Sequence, residues 1–320
     1  MKLIIQIPCY NEENTLPVTL MDLPNEIKGV DEIETLVIDD GSTDSTVEIA
    51  EKAGVSHILN LPVRSGLAEA FRRGIEKSLG LGADIIVNTD GDNQYRGADI
   101  AKLVKPILDK KAEIVIGCRD VLKIEYFSFT KKILQKIGSY VVRRLSNTNI
   151  PDTTSGFRAY SRDAALRINV FSTYTYTLET IIQAGRKEIP ISYVEISTNQ
   201  KLRESRLIKS IPSYVLRSTS TLLRIYLMYE PLKSFFKIGL IPVSFSIILI
   251  IRFLISHYIR MHGGHVQSLI IASIGIIIGI LIMMIGLLGD IMSANRKLNE
   301  EILYRLKKES FDKTRHNLKL

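Results

Sequence analysis

The chain has 320 residues, a net charge of +8 and 46% hydrophobic residues, which excludes a disordered polymer and allows one large domain or a domain with an appendage. Its two cysteines, Cys9 and Cys118, stand alone without a C-x-x-C pair, which excludes a disulfide scaffold, speaks against structural zinc and fits a reducing compartment. The positive excess collects beside apolar segments late in the chain, so it points to anionic lipid head groups and away from nucleic acid.

In chain order, short apolar runs predict strands at 3–7 (LIIQI), 33–39 (IETLVID), 83–88 (ADIIVN) and 112–117 (AEIVIG). Between them lie helical stretches. In DSTVEIAEKAG, Ser45 and Glu48 have capping-box spacing, and GLAEAFRRGIEKSLG follows at 66–80. Continuous apolar strands alternating with helices predict an α/β domain with a mostly parallel sheet covered on both faces. The N-terminal run reaches Pro8 and Glu12 too soon to form a secretory apolar core, so export is not expected.

Ligands of such sheets bind beyond the carboxyl ends of the strands. Three polar segments follow those ends: PCYNEEN at 8–14, DDGSTDS at 39–45 and TDGDNQY at 89–95. The last is not an EF-hand, because its sixth position is Tyr95 and its twelfth Ala101. Asp90 and Asp92 with Gln94 are compatible with a solvated Asp-Gly turn, or with Mg2+ or Mn2+ held by a carboxylate, an amide and substrate phosphates. No G-x-G-x-x-G follows the first strand, which argues against a dinucleotide-dependent dehydrogenase.

Late in the chain, Val266 to Gly289 is free of charge and long enough to cross a bilayer. An earlier span, about 235–256, holds an apolar run bounded by Lys237 and Arg252, which would snorkel towards the interfaces. The segment 201–233 reads as juxtamembrane amphipathic helix, with Leu207, Ile211, Tyr214, Leu222, Ile225 and Tyr229 near one face. Lys and Arg are abundant on both long flanks of the hairpin, and its loop holds only Arg260. The positive-inside rule therefore puts both termini and the first domain in the cytoplasm of a multi-pass protein of the cell membrane, with 293–320 as a basic tail. Gly275 and Gly279 form a G-x-x-x-G that could pack on the first span or on a second copy of the chain, making a homo-oligomer.

The order P-x-Y-N-E, D-D-G-S-x-D, D-x-D resembles glycosyltransferase family 2, over roughly residues 1–200 and including RSGLAEAFRRG, with Ser65 where the family has Asn. The D-x-D-x-Q followed by an aromatic, SGFR at 155–158, ESRL at 204–207 and the membrane hairpin resemble its polyprenyl-phosphate sugar transferases, the dolichol-phosphate mannose synthase type. Arg203 and Arg206 stand where that group usually has Gly and Lys, and an Arg fork grips phosphate differently from Lys.

The resemblance implies a GT-A-type domain and an inverting transfer from a UDP- or GDP-sugar to undecaprenyl or dolichyl phosphate. By the same resemblance, Pro8, Tyr10, Glu12, Asp39, Asp40, Asp90, Asp92 and Gln94 contact the donor, and Asp92 and Gln94 ligate the metal. Arg119, Arg158, Arg203 and Arg206 meet the acceptor phosphate, and Asp92 and Arg119 serve the chemistry. Two other readings stand beside it. A polysaccharide synthase would need a Q-x-x-R-W motif, and the chain has no Trp; a non-catalytic nucleotide-sugar-binding scaffold would not need an intact D-x-D-x-Q.

Overall fold

The structure, a computed structural model, describes residues 1–120, 129–172, 175–200, 219–220, 223–224, 226–260 and 266–319. Its contacts divide the chain into one unit of 1–222 with 303–320, and a second of 223–302.

The first unit is built on a seven-stranded sheet. Its strands are β1 (Lys2–Cys9), β2 (Glu32–Asp39), β3 (His57–Asn60), β4 (Ile85–Asn88), β5 (Ile114–Arg119), β6 (Arg158–Ser161) and β7 (Ile191–Ile196), in the spatial order β3-β2-β1-β4-β6-β5-β7. Among the described strands, only β6 runs antiparallel to its neighbours, β4 and β5. The four strands expected from apolar runs are present. The short β3 and β6, and the edge strand β7 with its mixed burial, carry too little apolar signal to be read from the chain.

Leu3, Ile4, Ile5 and Ile7 of β1 are all inaccessible to solvent, as a strand covered on both faces requires. On one side α3 (Leu67–Gly80) comes so close that a Cβ on Gly74 would stand 2.6 Å from Gln6 Oε1. On the other, Leu103, Val104 and Ile107 of α4 (Ile100–Leu108) join Ile5, Ile7, Val87 and Val115 in one core cluster.

Chain direction then locates the site. From β1 the chain steps outward to β2 and β3, then crosses back to place β4 on the other side of β1. That reversal opens a crevice at the carboxyl ends of β1 and β4. Register aligns Cys9 with Asp39, so the turns after β1 and β2 leave the sheet at one level, while β4 ends opposite Gln6 and its turn starts three residues earlier along β1.

In the second unit, helices Pro231–Arg260 and Val266–Lys319 are both long and apolar enough to cross a membrane. They meet through small residues: a Cβ on Gly239 would stand 2.7 Å from Gly279 O, and Gly275 faces Ser246. Phe236, Ile241, Phe245, Ile248 and Leu287 point outward and are exposed. Small residues inside and large apolar residues outside reverse the pattern of a water-soluble hairpin. Of the two partners expected for Gly275 and Gly279, the first apolar helix is the one they face. The second helix does not stop near 290 as the hydropathy suggests.

Residues 303–316 of the same helix belong to the first unit. There Tyr304 Oη donates to Asp163 Oδ1 at 2.7 Å, Lys307 Nζ to Asn169 Oδ1 at 2.9 Å, and Arg162 Nη2 to Asp312 Oδ1 at 3.0 Å. The last part of the basic tail is thus a docked helix. Charge composition alone could not show this, because its partners are scattered along the chain.

Candidate functional site

The turn after β1 is locked to the turn after β2. Asn11 adopts a left-handed conformation, φ 54°, which Asn tolerates. This lets its N–H reach Ser42 Oγ at 2.9 Å while its own Oδ1 accepts from Thr43 N–H at 2.8 Å. Glu12 N–H donates to Thr46 Oγ1 at 2.8 Å, and the Glu12 carboxylate accepts from Thr15 Oγ1 at 2.6 Å. Asp39 accepts from Ser42 N–H, three residues on, which tightens the strand end.

Asp40, expected at the donor, also holds backbone in place. Its carboxylate accepts from Ser65 N–H at 2.6 Å and Gly66 N–H at 2.9 Å, and it is 5% exposed. One N–H on each carboxylate oxygen holds the backbone that opens α3, so Asp40 clamps that turn at the edge of the crevice. The clamp brings Arg64 over the Tyr10 ring, 4.0 Å from its centroid, and shapes a wall of the crevice that the resemblance left unassigned. Its signal was the Arg that opens RSGLAEAFRRG.

The acidic turn packs against the first. A Cβ on Gly91 would stand 3.0 Å from Cys9 Sγ, and Gly91 O accepts from Thr19 Oγ1 at 3.1 Å. Asp90, Asp92 and Gln94 are half-buried, while Pro8 and Tyr10 stand at the same edge. Burial, then the carboxylates of Glu12, Asp39, Asp90 and Asp44, push the Cys9 thiol well above its ordinary pKa. Negative charge is therefore concentrated where a cation would offset it.

Asp92 and Gln94 lie two residues apart around Asn93, whose φ of 53° tightens the turn, and Gln94 N–H donates to Asp92 Oδ1 at 3.3 Å. One carboxylate and one amide oxygen are hard donors that fit Mg2+ or Mn2+. Among the described residues no group of three or more His, Cys, Asp or Glu forms a ready-made metal cage. The rest of a shell would come from substrate oxygens and water.

The expected acceptor arginines are placed otherwise. Arg158 is 0% exposed. Its guanidinium donates to the carbonyls of Ser155, Thr177 and Thr153 at 2.7, 2.8 and 3.0 Å, and to Thr180 Oγ1 at 2.6 Å. With four of its five N–H groups on internal acceptors and no exposed surface, Arg158 ties β6 to α7 (Thr177–Arg186) where the resemblance expected a phosphate contact. Arg119, at the end of β5, pairs with Asp152 at 2.8 Å and donates to Thr154 Oγ1 at 3.2 Å, beside the Tyr95 ring. Burial opposes its charge, but Tyr95 and Asp152 outweigh burial and raise its pKa. Arg119, expected at the acceptor, is held here by Asp152 and Thr154.

Arg203 and Arg206 lie outside the described residues. The chain approaches them from the acidic turn, where Asn199 N–H donates to Gln94 O at 3.0 Å and Asn199 Nδ2 to Asn93 O at 3.1 Å.

Comparison with known proteins agrees with this geometry. Residues 4–168 match the family model described as "Glycosyl transferase family 2". The undecaprenyl-phosphate mannosyltransferase of Micrococcus luteus is 29% identical over 222 residues, covering 65% of this chain and 88% of the relative. The UDP-N-acetylglucosamine–dolichyl-phosphate N-acetylglucosaminyltransferase of Methanococcus voltae is 29% identical over 220 residues, covering 60% and 83%. Among solved structures, glucosyl-3-phosphoglycerate synthase from Mycobacterium tuberculosis, in complex with Mn2+, UDP and glucosyl-3-phosphoglycerate, superposes with a TM-score of 0.54. It shares 20% identity and covers 69% of this chain and 79% of its own. That likeness is one of fold, a GT-A-like mixed sheet with helices.

Proposed function

The chain belongs to glycosyltransferase family 2, and from that premise we propose that it moves a sugar from a nucleotide-diphosphate donor to a polyprenyl phosphate at the cytoplasmic face of a membrane. One observation carries the reading: three polar turns interlock at the crevice beside β1 and β4, in a chain that also has two helices apolar enough to span a bilayer. Relatives named for undecaprenyl and dolichyl phosphate support the acceptor class. Their names differ in the sugar, so the donor is read as a UDP- or GDP-sugar without choosing.

In this reading Asp92 and Gln94 would hold Mg2+ or Mn2+, which would supply Lewis-acid stabilisation of the leaving diphosphate. Tyr10, Glu12 and Asp39 line the nucleotide side, with Arg64 fixed over Tyr10, and Asp90 meets hydroxyls of the donor. A lipid phosphate is already an anion at neutral pH, so no strong general base is needed to make it a nucleophile. What the site must supply is in-line placement opposite the diphosphate, which inverts the anomeric centre.

The test is incubation of the purified full chain with polyprenyl phosphate and a panel of nucleotide sugars, with and without chelator, followed by mass analysis of the lipid. Metal-dependent gain of one hexose or N-acetylhexosamine mass on the lipid is expected. Transfer to a soluble phosphorylated acceptor instead would overturn the lipid assignment, and nucleotide-sugar binding without transfer to either would favour the scaffold.

A further inference from the structure

The peptide of Gly156 is held from both ends. Its N–H donates to the Tyr95 hydroxyl at 3.1 Å, and its carbonyl accepts from Asn88 Nδ2 at 3.0 Å and from the Tyr176 hydroxyl at 3.2 Å. Asn88 Nδ2 also donates to Tyr176 Oη at 2.8 Å, while Asn88 Oδ1 accepts from Gln6 Nε2 at 2.9 Å, which anchors the group to the middle of β1. Where a Cβ on Gly156 would stand, the Tyr176 hydroxyl is 3.0 Å away and the two Asp90 carboxylate oxygens 3.1 and 3.3 Å. Asp90 therefore rests against bare backbone, and the Tyr176 hydroxyl borders the same small space.

Tyr176 is 0% exposed, and its ring stacks on Phe71 of α3 with centroids 3.9 Å apart. Packing alone would fix the ring, so a phenylalanine would serve the core as well. The hydroxyl is a polar group in a fully buried place, and such groups persist where their hydrogen bonds are made. Here its proton goes to the Gly156 carbonyl and its oxygen accepts from Asn88.

We propose that Tyr176 is a positioning residue for Asp90: its hydroxyl fixes the Gly156 backbone that sets the Asp90 carboxylate against the hydroxyl groups of the nucleotide-sugar donor. The inference rests on reading Asp90 as a donor contact. It assigns a function to a side chain that stands more than eighty residues from the acidic turn and in none of the motifs.

Tyr176→Phe keeps the ring on Phe71 and removes only the hydroxyl. Calorimetric titration with the nucleotide sugar and divalent metal should show a three- to tenfold weaker Kd, roughly the worth of one hydrogen bond, while KM for the lipid acceptor stays at the wild-type value and the melting temperature falls by only a few degrees. Gly156→Ala should weaken donor binding further, because its Cβ displaces the carboxylate. In an Asp90→Asn background, Tyr176→Phe should add no further loss, since the hydroxyl acts through that carboxylate. Additive losses in the double variant, or a donor Kd unmoved in Tyr176→Phe, overturn the proposal. So does early melting with loss of both ligands, which would make Tyr176 merely structural. If the wild-type protein binds no nucleotide-diphosphate sugar, the reading of the site itself fails, and this inference with it.

Discussion

Arg119 and Asp152 form an ion pair of 2.8 Å at the carboxyl end of β5, with side chains only 9% and 1% exposed. Gln135 Nε2 donates to the same carboxylate at 3.2 Å, and Thr154 Oγ1 accepts from both Gln135 and Arg119. Burial alone would raise the Asp152 pKa, but the Arg119 guanidinium and the Thr154 hydroxyl hold it below the usual value. A carboxylate with a depressed folded pKa adds stability above its unfolded pKa and loses it as the pH falls through the folded one. Asp152→Asn should therefore destabilise the protein by about 3–5 kcal/mol at pH 7, the cost of stranding a buried charge. The gap between the melting curves of wild type and variant should begin to narrow below about pH 4, the ordinary carboxylate value, and close only as the pH falls through the lower folded pKa. A gap unchanged between pH 7 and pH 3 would show that the pair contributes nothing through its charge.

Arg158→Ala leaves three buried carbonyls and one hydroxyl without their donor, so it should cost at least about 3 kcal/mol. Lysine should rescue little, because one ammonium cannot reach four acceptors spread around a planar fork. Thermal unfolding beside donor and acceptor titrations checks this. Loss of acceptor affinity with an unchanged melt would return Arg158 to the phosphate.

Asp92→Asn keeps the shape of the turn and removes one charge from the proposed metal site. Transfer should fall at least about a hundredfold if the cation supplies a few kcal/mol to the departing diphosphate, with no change in melting temperature. Wild-type turnover in this variant would remove Asp92 from the metal.

Cys9 and Cys118 are both buried, and burial first of all lifts their pKa, well above the ordinary value for Cys9 and to about 12 for Cys118. At pH 8 the Cys118 thiolate fraction is then about one in ten thousand. Neither thiol should react with a disulfide reagent in the native protein, and both should react at once in denaturant. Rapid native labelling would mean that the crevice opens.

Gly279→Ile would drive a side chain into Val243 and the Gly239 carbonyl, which a Cβ would already meet at 2.4 and 2.7 Å. Overpacking of this kind costs about 1–3 kcal/mol. The detergent-solubilised protein should melt earlier than wild type, whereas Leu287→Ala, on the outward face, should leave it unchanged. Equal behaviour of the two variants would argue against the hairpin contact.

The chain itself determined the α/β class, the three polar turns and the two apolar spans. Each is a local property, being an apolar run with a fixed period, a turn residue at a strand end, or a stretch free of charge, and local properties survive in one dimension. Tertiary structure decided the rest. Arg158 reads as an exposed phosphate fork in SGFR because nothing nearby in sequence shows the carbonyls of Thr153 and Thr177 converging on it. Asp40 reads as a donor contact beside Asp39, and only the approach of Ser65 and Gly66 shows that its carboxylate also clamps backbone. Tyr176 lies in no motif and becomes part of the site because β6 is inserted antiparallel between β4 and β5, which brings Gly156 against Asp90. Whether a polar side chain faces a ligand or the protein depends on long-range packing that buries it and on the partners that packing supplies, and neither is written in its neighbours along the chain.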